Sequence, residues 1–240
     1  MLYLPKVLTE TQIEAIRLAN PGVPVRQRPN SYGHLKARCM FETMLLAGLR
    51  AQEVCNLRVE DVDLDGPNPM IHVVNGKGGK SRNVPITPKL VDWLRRWMAK
   101  RPESEWLFPQ HRGPQIGQKM TTRTLRQTIS LMGKKVGIKI WPHMLRHTYA
   151  TTLLARGLST REVQVLLGHS SVATTEIYTH VDPRALGEKL RQLEECYTAD
   201  RATTLEMLAE RIFELQTMLK QVSNAAPQSS AQVAKQRLEV

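Results

Sequence analysis

The sequence predicts a mostly α-helical (α+β) domain that carries one small antiparallel β-hairpin sheet. Three observations predict it. Apolar residues recur at helical spacing in one segment after another, several opened by a capping pattern and closed by glycine. A single stretch, Met70 to Ile86, switches to short β-favouring runs around a Gly-rich turn. The 240 residues are about 1.6 times the length of an average domain, which fits one full domain with an appendage better than two equal halves.

Thr9 and Gln12 form a capping-box pattern, and Ile13, Ile16 and Leu18 follow at helical spacing, so a helix runs to Ala19 and stops at Asn20-Pro21-Gly22. The Pro- and Arg-rich stretch from Gly22 to Tyr32 reads as a loop. A second helix runs from about His34 to Ala47 and ends at Gly48, and a short one begins after Arg50 and ends near Leu57. Met70–Val74 and Arg82–Ile86 read as the strands of a hairpin joined by Asn75–Ser81. Thr87-Pro88 opens a helix with Leu90, Leu94 and Trp97 on one face. Further helices run from about Thr122 to Lys135, from Pro142 to Gly157, and from the capping box Ser159/Glu162 to Gly168. Ser171 caps one more through Tyr178. From Arg201 to Val222, Leu205, Leu208, Ile212, Leu215, Leu219 and Val222 alternate in steps of three and four. That stripe suits either a coiled-coil contact through 201–222 or a helix packed on its own domain. Ser223–Val240, rich in Ala, Ser and Gln, reads as a disordered tail. The division expected is 1–199, 200–222 and 223–240.

Composition narrows the function. Lys and Arg number 34 against 22 Asp and Glu, a net charge of +12, which favours a polyanionic partner. Between Glu105 and Glu162 there is no acid but ten basic residues. Solvated helical faces ordinarily mix signs, and this stretch does not. No apolar run approaches the ~20 residues of a membrane span, and the first residues lack a signal-peptide core. Cys39, Cys55 and Cys196 fit neither a disulfide framework nor a zinc ribbon, so the expectation is a cytoplasmic, nucleoid-associated protein without membrane contact.

The chemistry concentrates in a few places. His143 and Arg146 share the first turn of a helix opened by Pro142. His143 and His147 stand four apart, but Met144 occupies the position where a metalloprotease helix needs Glu, and Arg146 repels a cation. Arg and His at a helix N-terminus suit an anion instead. His169 follows Gly168, and Tyr178 lies nine residues further on.

Taken in order, Arg50, Lys77, His143-x-x-Arg146, His169 and Tyr178 resemble the tyrosine recombinase (phage integrase) family. The segment Ala47–Glu53 looks like its first-arginine box. Gly76–Arg82 with Val84–Ile86 looks like its hairpin-lysine box, and Leu167–His169 with Tyr178 like its closing box. The resemblance covers about Leu4 to Glu195. It implies a site-specific DNA strand-exchange enzyme. Tyr178 would attack a phosphodiester, form a 3′-phosphotyrosine and release a 5′-hydroxyl. Arg50 and Arg146 would bind the phosphate oxygens, with a further hydrogen bond from His169. Lys77 would protonate the leaving oxygen, His143 would accept the tyrosine proton or hold the phosphate, and Glu53 would orient the cations. Lys80 and Arg82 compete with Lys77 on the same turn, and Tyr3, Tyr32, Tyr149 and Tyr197 with Tyr178.

With that much positive charge, no metal and no other cofactor is needed. Lys80, Arg82, Lys119, Arg123, Arg126, Lys134 and Lys135 are expected to contact double-stranded DNA. The family's N-terminal clamp domain is expected to be absent, because Leu4–Thr9 looks like the start of the catalytic domain. The resemblance also implies a homotetramer on DNA, with Asp182–Cys196 donated to a neighbour's surface. Two alternatives stay open: a type IB topoisomerase-like nick-and-rejoin enzyme, and a DNA-binding regulator that keeps the fold.

Overall fold

The computed structural model describes residues 6–22, 32–74, 81–111, 113–168, 184–196, 198–199 and 216. The chain divides into two units, Met1–Leu193 and Glu194–Val240, and every element below belongs to the first. The expected helices at 171–178 and 201–222 and the tail at 223–240 lie outside the described residues, Gln216 excepted.

Helix α1 (Glu10–Ala19) carries the predicted capping box, in which Thr9 accepts from the Gln12 N–H and the Gln12 side chain accepts from the Thr9 N–H. Helix α2 (Gly33–Ala47) is the central post: Cys39, Met40, Phe41, Met44 and Leu45 are all buried. It packs on α4 (Pro88–Met98) and α6 (Pro142–Ala155), which close around it. The polar residues of α2 are buried too. Glu42 is fully enclosed and neutralised by Arg38, at 2.7 Å, and by Arg17 of α1, at 2.8 Å. A buried carboxylate survives only with such partners.

Short helix α3 (Ala51–Asn56) follows α2 directly and packs on α5 (Thr122–Lys134). Strands β1 (Val62–Asp63), β2 (Met70–Val73) and β3 (Arg82–Pro85) form an antiparallel sheet in that order. Val73 pairs with Arg82, so the residues between them connect β2 to β3 as a hairpin. The strand β1 was not expected. It is two residues long and too short to show an alternation.

Helix α7 (Thr160–Leu167) begins with its predicted Ser159/Glu162 capping box and ends at Gly168 in the left-handed conformation, φ 63°. Here a second, smaller apolar cluster forms from Tyr149, Leu153, Leu158, Val163, Leu166 and Leu167. Helical residues 184–193 complete it with Leu186 and Leu190, and Lys189 is tied to Glu162 at 2.8 Å. In the single chain this segment, expected to be donated to a neighbour, packs on its own domain. Two leucines one turn apart match the face that α6 and α7 leave open, and they close on it within the same chain. No helix among the described residues is long and apolar enough to cross a membrane.

Candidate active site

The site is assembled where four chain segments meet. At the first, α2 ends at Gly48, φ 62°, where a Cβ would run into the Tyr149 ring. Two residues on, Arg50 is the N-cap of α3. Glu53 closes the box from the third helical position: Oε2 accepts from the Arg50 backbone N–H at 2.7 Å and Oε1 from its Nη1 at 2.9 Å. A turn of helix thus fixes both the main chain and the guanidinium of Arg50.

The second segment is β3. Its first residue, Arg82, forks onto the same carboxylate, with Nη1 to Oε1 at 2.8 Å and Nη2 to Oε2 at 2.9 Å. Its Nε donates to the Leu166 carbonyl of α7 at 3.1 Å. The third segment is α6, which supplies Arg146. This buried guanidinium donates to Gly48 O and to Leu167 O, both at 2.6 Å, and lies 4.0 Å from Glu53 Oε2. The fourth is the end of α7, where Gly168 O accepts from Arg50 Nη2 at 3.2 Å. The arginines therefore bind the turns that carry one another, the arrangement of a preorganised cationic site.

The electrostatics follow from that packing. Burial alone would raise the Glu53 carboxyl. The hydrogen bonds and charge of Arg82, then the hydrogen bonds of Arg50, outweigh burial and hold it at about 2. Burial, followed by repulsion from Arg50, brings Arg146 down to about 10, which leaves it charged at neutral pH. His143, exposed on the first turn of α6, stacks on His147 with ring centroids 5.9 Å apart. Its pKa is lowered by desolvation first, then by His147, Arg146, Arg50 and Arg126, so the neutral, proton-accepting ring is favoured.

Of the residues expected at the site, Arg50, Glu53 and Arg146 meet, and His143 lies within electrostatic reach of Arg50 and Arg146. Lys77, Lys80, His169 and Tyr178 lie outside the described residues, although α7 and its cap stop at the residue before His169. Lys119, Arg123, Arg126, Lys134 and Lys135 are exposed, with Lys119 set 5.1 Å over the Trp106 ring. Arg82 departs from expectation. Read as a DNA contact, it is instead 13% exposed and committed to Glu53 and Leu166. Its place in the hub was missed because a basic residue beside a Gly-rich turn reads as surface. No local signal marks it, since its partner Glu53 lies 29 positions away in the chain. No group of three or more His, Cys, Asp or Glu that can hold a metal occurs among the described residues.

The family model for the phage integrase family matches residues 6–184, a span that takes in Arg50, Glu53, Arg82, His143, Arg146, His169 and Tyr178. The chain belongs to the phage integrase family. One integrase-family relative, the tyrosine recombinase XerA of Pyrococcus furiosus, is 35% identical over 190 residues, which are 79% of this chain and 62% of the relative. The chain thus spans about 62% of the length of that relative. Among solved structures, the crystal structure of XerA recombinase is 32% identical with a TM-score of 0.59, covering 84% of this chain and 67% of that one. The XerH site-specific recombinase bound to its difH substrate in a pre-cleavage complex is 25% identical with a TM-score of 0.58, over 78% of this chain and 53% of that one. Within this integrase-family chain two of the rival tyrosines are partly or wholly withdrawn from solvent. Tyr149 is buried, and burial pushes its phenol well above the usual range. Tyr32 is half-buried, its ring 6.1 Å from that of Trp97.

Proposed function

We propose that this chain breaks and rejoins double-stranded DNA at specific sites through a 3′-phosphotyrosine intermediate. The observation that carries the reading is the convergence of Arg50, Arg82 and Arg146 on the single carboxylate of Glu53. Three guanidinium groups less one carboxylate leave a formal charge of +2, which suits the charge that develops on a pentavalent phosphorane. Tyr178 Oη attacks phosphorus as His143 accepts its proton. The bond to the 5′-oxygen breaks, and Lys77 protonates that oxygen. Arg50, Arg146 and His169 stabilise the non-bridging oxygens. Attack by a 5′-hydroxyl on the phosphotyrosine reverses the sequence without ATP, because the bond energy is kept in the covalent intermediate. The likeness to XerH bound to its difH substrate supports strand exchange over mere relaxation. The test is a pool of duplexes with 5′-bridging phosphorothiolates, in which the sulfur leaving group traps the adduct. A denaturation-resistant protein–DNA band is expected, and its absence across the pool rejects the reading.

Double-stranded DNA lies along the exposed basic residues Lys119, Arg123, Arg126, Lys134 and Lys135, and Lys80 contributes a further phosphate contact. If about five cations reach phosphates, log K falls against log salt with a slope of about −4 to −5. Arg123→Ala with Arg126→Ala should flatten that slope by about 2, measured by fluorescence anisotropy between low and moderate salt. An unchanged slope places the DNA on another face.

The active form is a homo-oligomer, a tetramer on two duplexes, in which the heptad stripe of 201–222 joins protomers. Linking weak DNA-binding units in this way raises their effective concentration. Ile212→Asp with Leu215→Asp should lower the mass seen by light scattering and leave the circular dichroism of the catalytic domain intact. Equal masses reject the coiled-coil contact.

A further inference from the structure

We infer that Arg82 is the charge-balancing and positioning residue of the site: it cancels the charge of Glu53 so that Arg50 and Arg146 present their full charge to phosphate. The inference rests on the reading of Arg50 and Arg146 as the phosphate-binding pair.

Glu53 is needed for geometry. It caps α3 through the Arg50 N–H and holds the Arg50 guanidinium, both within 2.9 Å. That service places a carboxylate, itself almost fully buried, against the cations that must receive an anion. Its Oε1 is shared with Arg50, and its Oε2 lies 4.0 Å from Arg146. Unopposed, it would compete with the incoming phosphate for both forks, and burial weakens the screening that water would provide. Arg82 opposes it with a planar fork that occupies both oxygens, at 2.8 and 2.9 Å.

The rest of Arg82 is committed as well. Nε is bound to Leu166 O, and the stem lies so close to Gly168 that a Cβ there would come within 2.7 Å of Arg82 Cδ. With every guanidinium nitrogen donating inward, Arg82 acts through Glu53 rather than on the substrate. The same guanidinium, through Nε, joins β3 to the end of α7.

The charge-balance role makes a prediction that simple bracing does not: neutralising Glu53 should repair the loss of Arg82. The full-length protein is prepared as wild type, Arg82→Gln, Glu53→Gln, Arg82→Lys and the double variant Glu53→Gln/Arg82→Gln. Inorganic vanadate binding is measured by calorimetry, and single-turnover adduct formation on the phosphorothiolate duplexes is followed in parallel. Arg82→Gln should weaken vanadate binding and slow adduct formation, each by on the order of 10- to 100-fold, as expected for an unopposed charge at short range. The double variant should recover to within about threefold of Glu53→Gln, because a neutral pair needs no third cation. Arg82→Lys, which keeps the charge and loses the fork, should bind vanadate better than Arg82→Gln. It keeps the test decisive where Arg82→Gln folds poorly.

A double variant as impaired as Arg82→Gln overturns the inference in favour of a bracing role. Failure of the wild type to bind vanadate overturns it too. A salt slope for DNA binding that drops by about 1 in Arg82→Gln, with vanadate affinity unchanged, makes Arg82 a phosphate contact instead. If the vanadate pattern holds while the wild type forms no adduct, the recombinase reading fails and the charge balance stands.

Discussion

Tyr178→Phe is expected to eliminate the covalent protein–DNA adduct while DNA affinity stays within about a factor of two, since one hydroxyl among many phosphate contacts is lost. Removing a covalent nucleophile costs on the order of 10⁶-fold in rate, so the band on a denaturing gel should vanish rather than fade. The placement of Tyr178 nine residues after His169 motivates the experiment. The burial of Tyr149 sharpens it, because that ring cannot reach a phosphodiester without leaving an apolar cluster. Tyr149→Phe is the matched control. It should keep the adduct, and an adduct lost in Tyr149→Phe but retained in Tyr178→Phe would reverse the assignment.

Arg146→Lys should slow adduct formation by on the order of 10²- to 10³-fold, the usual cost of one preorganised donor to a developing oxyanion. Part of that loss is geometric. Arg146 bridges Gly48 O and Leu167 O, and an ammonium group cannot span both. The two carbonyls lie at the C-terminal ends of α2 and α7, so freeing either one loosens the turn that precedes Arg50 or the end of α7. The pH profile tests the electrostatic part. Burial and Arg50 bring Arg146 from 12.5 down to about 10. A lysine starts below an arginine, and the same burial and neighbouring charge lower it further. The working form is the cation, so residual activity of Arg146→Lys should be lost on the alkaline side at a lower pH than that of the wild type. Identical alkaline limbs in the two proteins would show that this charge does not serve the reaction.

The helices were legible because their ends are written in local chemistry. Thr9 and Ser159 announce capping boxes, while Gly48 and Gly168 sit where left-handed backbone stops a helix. What escaped were facts of tertiary packing. The Arg17–Glu42–Arg38 group looks like solvent-facing charge in a one-dimensional pattern, yet it lies inside, where each ion satisfies the others. Arg82 escaped for the same reason, since a fork closing on a carboxylate 29 positions away leaves no periodic trace. His143 and Arg146 were recoverable because a three-residue spacing puts them on one helix face, and Arg50 and Glu53 because their segment resembles the family's first-arginine box. Their convergence across α3, α6 and the end of α7 was not.

The family match ends at residue 184, but the smaller apolar cluster does not. Leu186 and Leu190 are buried members of it, and Leu193 packs against its edge. A fragment cut at the family boundary would bare Tyr149, Leu153, Leu158 and Val163 to water, beside the turn that precedes His169. Each large apolar side chain so exposed costs roughly 1.5–3 kcal/mol, and together they make a sticky face. The smallest piece of this protein worth expressing therefore runs at least to Leu193, nine residues past the end of the family match.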